Sequence, residues 1–573
     1  MGKRSARYGD VLPVLEHLLR NLPTSSEVLA GLTDLRSEEG TRTYLSTKIP
    51  LSTVINGSAT QFCVDYFAIN LLSKWKGLRT GYDLRRNAIE AWEGFEAQCK
   101  ETNQRIRQSR TSGIYPTGVG EIISIAQRKI SEVLGALDLH TLAARCRWSN
   151  GATSTTRRVP FAEKMSRPVA VTRRALPHLA RDVMTDPAWL SYLLEVEVSG
   201  PVCPLIPLFK VVEEERFITV PKNAKTDRSI QAAPSGNAFL QQGVGRYIRS
   251  RLKRFGVDLD DQSRNQVMAA DAFVTSALAT LDLKGASDTL SRELVWLMLP
   301  TEWAAYLDDL RVPKTRIDGK EILLQKFSAM GNAFTFELES LVFWAISYAV
   351  HSQLGADPHH CSVYGDDIIC DRSCYHRLVE VLSWFGFSVN TEKSFHEGYF
   401  FESCGKHYYH GCDVTPCYQK EQVRSLAELI RLHNRLLRWL DRVSSIVDEN
   451  VRILVLQACK RLRSLAGPGD IPRIPFGAVG DTGFLSRWET IKVDRASQSR
   501  GVKILQLMPL PHVRASDNDL PYYAYKLRRP FTTYEYRKRS LMVQLRSERY
   551  TLRLAWYAIA FGSGNTIETQ DSP

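Results

Sequence analysis

Cys361-Ser-Val-Tyr-Gly-Asp-Asp-Ile-Ile-Cys370 decides how the rest of the chain is read: the apolar runs Cys361–Tyr364 and Ile368–Cys370 flank Gly365, Asp366 and Asp367. That pattern predicts strand, tight turn, strand, with paired negative charge at a hairpin tip. Two carboxylates about 4 Å apart repel by roughly 4 kcal/mol at an effective dielectric of ~20, so they coexist when one is protonated or a cation joins them. A hard divalent metal is the natural occupant. Gly-Asp is also ordinary turn chemistry that binds nothing, so the pair needs support from elsewhere. Leu278-Ala-Thr-Leu-Asp-Leu283 supplies it: a β-compatible run ending near an acid, which as a neighbouring strand brings Asp282 against Asp366. Three carboxylates on two strands can hold two Mg²⁺ ions, as in-line phosphoryl or nucleotidyl transfer requires.

With 573 residues the chain can bury large cores and is expected to form more than one subdomain. A net charge of +13 and a pI near 9.1, together with 10% aromatic residues, point to a polyanionic partner, nucleic acid first. The longest apolar run, Leu341–Val350, is about half of what a bilayer requires, so it predicts a buried helix and no membrane partner. The charged start Met1-Gly-Lys-Arg-Ser-Ala-Arg7 has no apolar segment behind it, so neither a secretory signal nor a myristoylation pattern is expected. Eleven scattered cysteines suit reduced thiols. Cys404, His407, His410, Cys412 and Cys417 fall close together, but their spacing follows no common zinc template, and packing thiols with surface imidazoles is the expectation.

Around this centre the chain carries basic and sugar-sized chemistry. Arg216–Pro221 predicts a strand, and Lys222, Lys225 and Arg228 follow in a loop whose cations can converge on a triphosphate or merely face water. Gly243–Arg254 reads as a basic amphipathic helix, with Val244, Ile248 and Leu252 inward and Arg246, Arg249 and Lys253 offered to a phosphate backbone. Asp288 precedes a helix from about Ser291 to Leu299. It is either the cap of that helix or a group near the metals that senses a ribose hydroxyl. Ser328–Ser340 predicts a glycine turn feeding the apolar helix; Gly331 and Asn332 either form that turn alone or, with Thr335 at the helix start, orient template or nucleotide sugar. Leu378, Val381, Leu382 and Phe385 recur at helical spacing before the stop at Gly386, and extended Phe387–Asn390 leads to Lys393. Strand, helix, hairpin, helix, strand is the order of a ferredoxin-like α+β sheet. Further on, Arg431, Arg435, Arg438 and Arg442 line a helix face that attracts phosphate or merely water, and Tyr522–Tyr557 interleaves rings with cations, either as single-strand binders do or as a basic amphipathic surface over buried aromatics.

Val220–Asn223, Leu259–Ser263, Met330–Asn332 with Thr335–Ser340, Tyr364–Cys370 and Glu402–Gly405 together resemble the RNA-directed RNA polymerase (replicase β subunit) of small positive-strand RNA bacteriophages, the Qβ-like leviviruses. The likeness is dense from about Asn150 to Pro416. It implies a right-hand fold: residues 1–140 contributing to the fingers and their connection to the thumb, 141–270 fingers, 271–418 palm with part of 300–330 inserted towards the fingers, and 419–573 thumb and basic C-terminal region. It implies catalytic and Mg²⁺-binding roles for Asp282, Asp366 and Asp367 (Mn²⁺ as substitute), with Lys393 as the proton donor to pyrophosphate. Lys222, Lys225 and Arg228 would grip the triphosphate, while Asp288, Asn332 and Thr335 would check ribose. Arg246, Arg249, Lys253, Arg431 and Arg435 remain the candidates for RNA contact. In the wider superfamily an asparagine commonly follows the Thr335 position by four residues; here that place is Glu339. The family also implies RNA template and product, ribonucleoside triphosphates, primer-free copying, host elongation factors Tu and Ts, a host ribosomal protein, and the cytoplasm of an infected bacterium. A reverse transcriptase, a metal-dependent nuclease and a basic RNA-binding scaffold are the competing readings.

Overall fold

The computed structural model describes residues 10–156, 168–185, 209–505 and 554–558, apart from positions 33, 150, 468–470, 478–479, 492–493 and 497–498. Four strands, β1 (Leu278–Lys284), β2 (Ser362–Tyr364), β3 (Asp367–Asp371) and β4 (Ser388–Val389), form one antiparallel sheet in the order β4-β1-β3-β2. The helix Thr335–Leu354 lies between β1 and β2, and the helix Tyr375–Trp384 between β3 and β4. This is the ferredoxin-like order and sheet that the sequence predicted.

Local chemistry explains the hairpin. Tyr364 pairs with Asp367, leaving Gly365 and Asp366 as a two-residue turn. Such turns require left-handed backbone, and Gly365 supplies it at φ 61°. A Cβ there would also lie 2.5 Å from the Phe336 ring, so glycine is required twice over. The helix Thr335–Leu354 is buried around most of its circumference, from Leu338 to Val350, as its continuous apolar run predicts. Each large apolar side chain so covered contributes roughly 1.5–3 kcal/mol.

A second sheet orders Asp227–Ala232, Glu214–Pro221, Lys314–Ile317 and Lys320–Leu323 side by side, so strands from either side of the β1 segment meet. The basic helix begins at Ser235, earlier than its charge pattern suggested, and its first turns are buried through Asn237, Phe239, Leu240 and Gln241. Asp288 does not cap the helix Arg292–Met298: Ser291 holds that place, and Asp288 lies inside the short helix Ala286–Thr289.

The cores divide unexpectedly. One large cluster runs from Ile106 to Phe387 and encloses the sheet and its helices. Another joins Val11–Trp75 to Phe400–Leu485, so segments more than 300 residues apart in sequence share one interior. Phe67 stacks on Trp439 at 3.9 Å between centroids, and Phe62 on Tyr409 at 4.0 Å. The helix Leu84–Ser112 packs against the helices Ala286–Thr289 and Arg292–Met298 and against the second sheet, turning a stripe of Ala88, Trp92, Glu96, Cys99, Asn103 and Ile106 inward. Within Tyr522–Tyr557, residues 522–553 lie outside the described residues. Leu554–Ala558 forms a strand paired with Ser499–Leu505.

Candidate active site

Asp282 of β1 stands directly opposite Asp367 of β3, and Asp366 occupies the exposed tip of the turn beside them. Directly paired residues point to one face of a sheet, so the register alone gathers the acids. Asp282 is held from the β4 side: its Oδ2 accepts from Asn390 Nδ2 at 2.8 Å, and its backbone N–H donates to Ser394 Oγ at 3.1 Å. Asp367 is held from the hairpin Phe400–Tyr409: Ser403 Oγ donates to its carboxylate at 3.4 Å, and the Cys404 amide also bonds it. The tip is pinned by the Gly365 N–H, which donates to Ser340 Oγ at 3.1 Å.

Burial is the main force on the Asp367 and Asp282 carboxyls. It pushes Asp367 up to about 7, with the Asp366 charge adding to it and Asp282 and Glu402 contributing less. Asp282 is also raised by burial, against the pull of Lys393 and the Asn390 hydrogen bond, and Asp366 adds to the rise. Neighbouring acids that resist ionising together form a donor set that favours a hard cation. Among the described residues no three acidic, imidazole or thiol groups already stand in metal-holding proximity.

Cations ring the acids. Burial disfavours the charge on Lys393, but Glu402, Asp282, Asp367 and Asp366 outweigh it and hold its ammonium above its ordinary pKa. Its Nζ stands 3.7 Å from Glu402 Oε1. Lys222 is lowered by burial and by the nearby charges of Arg228 and Lys393, while Asp282 and Asp366 pull the other way. Lys222 and Arg228 therefore share the site with Lys393. Arg228 sits in the strand Asp227–Ala232, not in the loop where the sequence placed it. Lys225 lies in the loop, where its carbonyl accepts from Asn87 Nδ2 at 2.9 Å and its charge acts on Glu392.

Asn332 and Thr335 shape their own loop. Asn332 Nδ2 donates to Glu215 Oε2 at 2.9 Å, the Ala329 N–H donates to its Oδ1 at 3.0 Å, and Thr335 Oγ1 donates to the Ala329 carbonyl at 2.9 Å. Asp288 is buried and accepts from Lys326 Nζ at 2.9 Å. Glu339 accepts from Ser287 Oγ at 2.7 Å. Burial drives its carboxyl well above the usual range, and Asp366 and Asp288 add to the effect, so Glu339 lies within reach of both charges.

The proposed RNA-contact cations have protein partners. Arg249 binds Glu337 at 2.7 Å and Asp260 at 2.7 Å, and Lys253 meets Asp258 at 2.7 Å. Arg435 grips Glu421 at 2.7 and 2.9 Å, and Arg431 stands 4.0 Å from the same carboxylate. Arg246 nevertheless lines, with Arg145, Arg147, Arg249 and Lys253, a basic cleft of about 650 Å³ that reaches Ala333. Of the cysteines and histidines between residues 404 and 417, His407 pairs with Glu402 at 2.9 Å and with Tyr66, His410 stacks on Tyr399 at 4.2 Å, and Cys404 and Cys417 are buried.

Sequence reasoning missed the supporting residues. Asn390, Ser394 and Ser403 are unremarkable in the chain, although Asn390 closes the extended run leading to Lys393. Glu402 appeared only as part of a motif. Lys74, which carries no local signal of its own, is lowered to about 8 by burial and by the charges of Lys420, Lys393 and Lys222. No local pattern marks a residue whose partner lies hundreds of positions away.

An antiparallel sheet of this order, with an acid on its central strand facing an acidic hairpin tip, defines the palm of the right-hand polymerase fold. The model of the family "RNA replicase, beta-chain" matches residues 32–466, and the chain belongs to that family. It is 39% identical over 396 residues to the RNA-directed RNA polymerase subunit beta of Escherichia virus Qbeta, a stretch covering 68% of this chain and 64% of that relative. The corresponding subunit of Qbeta virus strain MX1 is 34% identical over 486 residues, 81% of this chain and 80% of the relative. The crystal structure of a human picobirnavirus RNA-dependent RNA polymerase aligns with 61% of this chain and 73% of its own at a TM-score of 0.36 and 13% identity. No helix among the described residues is long and apolar enough to cross a membrane.

Proposed function

We propose that this chain is an RNA-directed RNA polymerase that copies and transcribes a positive-strand RNA phage genome from ribonucleoside triphosphates, without a primer and with two Mg²⁺ ions. The observation that carries the reading is the register: Asp282 opposite Asp367, with Asp366 on the adjoining turn and Lys222, Arg228 and Lys393 around them. Family membership supports the same chemistry.

In this mechanism Asp282 and Asp366 hold the metal and Asp367 supports them from β3. The bound metal would supply Lewis acidity at the reacting hydroxyl and neutralise phosphate charge. Lys222 and Arg228 orient the triphosphate so that the growing 3′-oxygen attacks the α-phosphorus as the bond to pyrophosphate breaks. Lys393, kept charged by Glu402 and the aspartates, gives its proton to the departing pyrophosphate. Asp288 meets the ribose of the incoming nucleotide. RNA template and product follow the basic surface, and the family resemblance adds elongation factors Tu and Ts and a ribosomal protein of the infected bacterium, in whose cytoplasm the enzyme would work.

Primer-free incorporation of labelled ribonucleotides, by the full chain alone and with bacterial extract, tests activity and partner dependence together. Asp366→Asn is expected to lower incorporation about a thousandfold or more, the loss of several kcal/mol of transition-state stabilisation, while RNA binding stays nearly unchanged. Synthesis retained in that variant would overturn the assignment. Deoxyribonucleotides incorporated on an RNA template as readily as ribonucleotides would instead mark a reverse transcriptase.

A further inference from the structure

Lys326 is fully buried, and the groups around it are few and specific. Its Nζ donates to Asp288 Oδ1 at 2.9 Å, stands 3.5 Å from Glu96 Oε1, and lies 4.6 Å from the centroid of the Trp92 ring. The Glu96 carboxylate is itself fixed, because the backbone N–H groups of Gln325 and Lys326 donate to it at 2.7 and 3.4 Å. Asn103 Nδ2 ties the Gln325 carbonyl to the same helix at 2.9 Å. Cys99 Sγ reaches the Asp288 carbonyl at 3.6 Å. The long helix Leu84–Ser112 thus clamps both the segment bearing Lys326 and the short helix bearing Asp288.

A buried ammonium between two carboxylates is costly to build and is kept where it fixes something. Asp288 follows Asp282 by six residues, and its neighbour Ser287 bonds Glu339, which lies within the field of Asp366. One carboxylate oxygen of Asp288 is committed to Lys326, which sets the direction of the other.

We propose that Lys326, anchored by Glu96, is a positioning residue that aims the Asp288 carboxylate at the ribose 2′-hydroxyl and thereby sets the preference for ribonucleotides over deoxyribonucleotides. This rests on the sugar-facing role of Asp288 given under the proposed function. A 2′-hydroxyl accepted by a correctly aimed carboxylate favours the ribose form, and an unaimed carboxylate loses that preference first.

The test is a double-mutant cycle on the full chain in its active assembly, measuring the ratio of kcat/KM for GTP to that for dGTP. Lys326→Met is expected to lower the ratio about tenfold, mostly through a higher KM for GTP, with little change for dGTP. Glu96→Gln is expected to lower it a few fold. In an Asp288→Asn background, Lys326→Met should change the ratio no further. Asp288→Asn and Lys326→Met together remove the ammonium and one of its two carboxylates, and the remaining one, Glu96, keeps the backbone N–H groups of Gln325 and Lys326. Equal loss for GTP and dGTP in Lys326→Met, or an unchanged ratio, would overturn the clamp while leaving Asp288 in place. An unchanged ratio in Asp288→Asn would instead overturn the sugar-facing role. If Lys326→Met fails to fold, Glu96→Gln decides by the same criterion. For any folded but inactive variant, the ratio of GTP to dGTP affinity by direct binding replaces the kinetic ratio.

Discussion

Gly365 shows how much one residue carries. Its left-handed backbone closes the two-residue turn, and its missing side chain admits the Phe336 ring. Gly365→Ala is expected to cost about 1–2 kcal/mol from backbone strain alone, before any overlap with Phe336. The tip should shift, so incorporation should fall more than tenfold while circular dichroism still reports a folded chain. Wild-type incorporation would show that the tip tolerates displacement. This part of the site was legible because a glycine, two acids and flanking apolar runs are all local signals. Asn390, Ser394 and Ser403, which orient the acids, were not, since serine and asparagine occur at turns everywhere. Nor did the charge of Arg435 or Arg249 reveal that a carboxylate already held it: a helical charge stripe reports which face is polar, not what that face touches.

Elements were read well where their periodicity was strong and their environment simple. The hairpin, the buried helix Thr335–Leu354 and the helix Tyr375–Trp384 all formed as patterned. The helix Ser235–Arg254 began earlier than expected because Phe239 and Leu240 in its first turns are buried among Ser235, Gly236, Asn237 and Gln241, small and polar residues that break the apolar periodicity. The helix Leu426–Arg442 buries His433, whose ring meets Phe484 at 4.8 Å and whose Nδ1 is 2.9 Å from Asn434 Oδ1. Burial lowers His433 to about 4, so the folded chain keeps it neutral while the unfolded chain takes up a proton near 6.5. Its contribution is therefore complete above pH 6.5, falls as pH drops towards 4, and amounts to up to about 3 kcal/mol. Denaturant unfolding across that window should show the loss, and His433→Gln should flatten it. An identical pH slope in the variant would assign the acid sensitivity to other groups.

The molecule as a whole departs furthest from what a linear reading allows. Residues 11–75 contain amphipathic helices but nothing to say which surface covers them, and their partners come from residues 400–485. Phe67→Ala removes a ring stacked on Trp439 inside this shared core and is expected to cost about 3–5 kcal/mol. Hydrogen exchange should then quicken in the helices Leu426–Arg442 and Glu449–Ser464 along with the N-terminal helices. Exchange confined to residues 11–75 would mean that the two segments are not one cooperative unit. The same long-range closure brings Lys74 within the electrostatic reach of Lys222 and Lys393, so the charges of the candidate site and the distant core are linked through one segment.

That shared interior also imposes a timetable on biosynthesis. A ribosome that has made the first helices must add more than 300 further residues before their covering surface exists, which at ordinary elongation rates is on the order of tens of seconds. Throughout that interval the nascent chain offers Phe62, Phe67 and their neighbours to whatever is nearby, so the newly made protein would depend on chaperones, and a prematurely terminated chain would be a substrate for proteases.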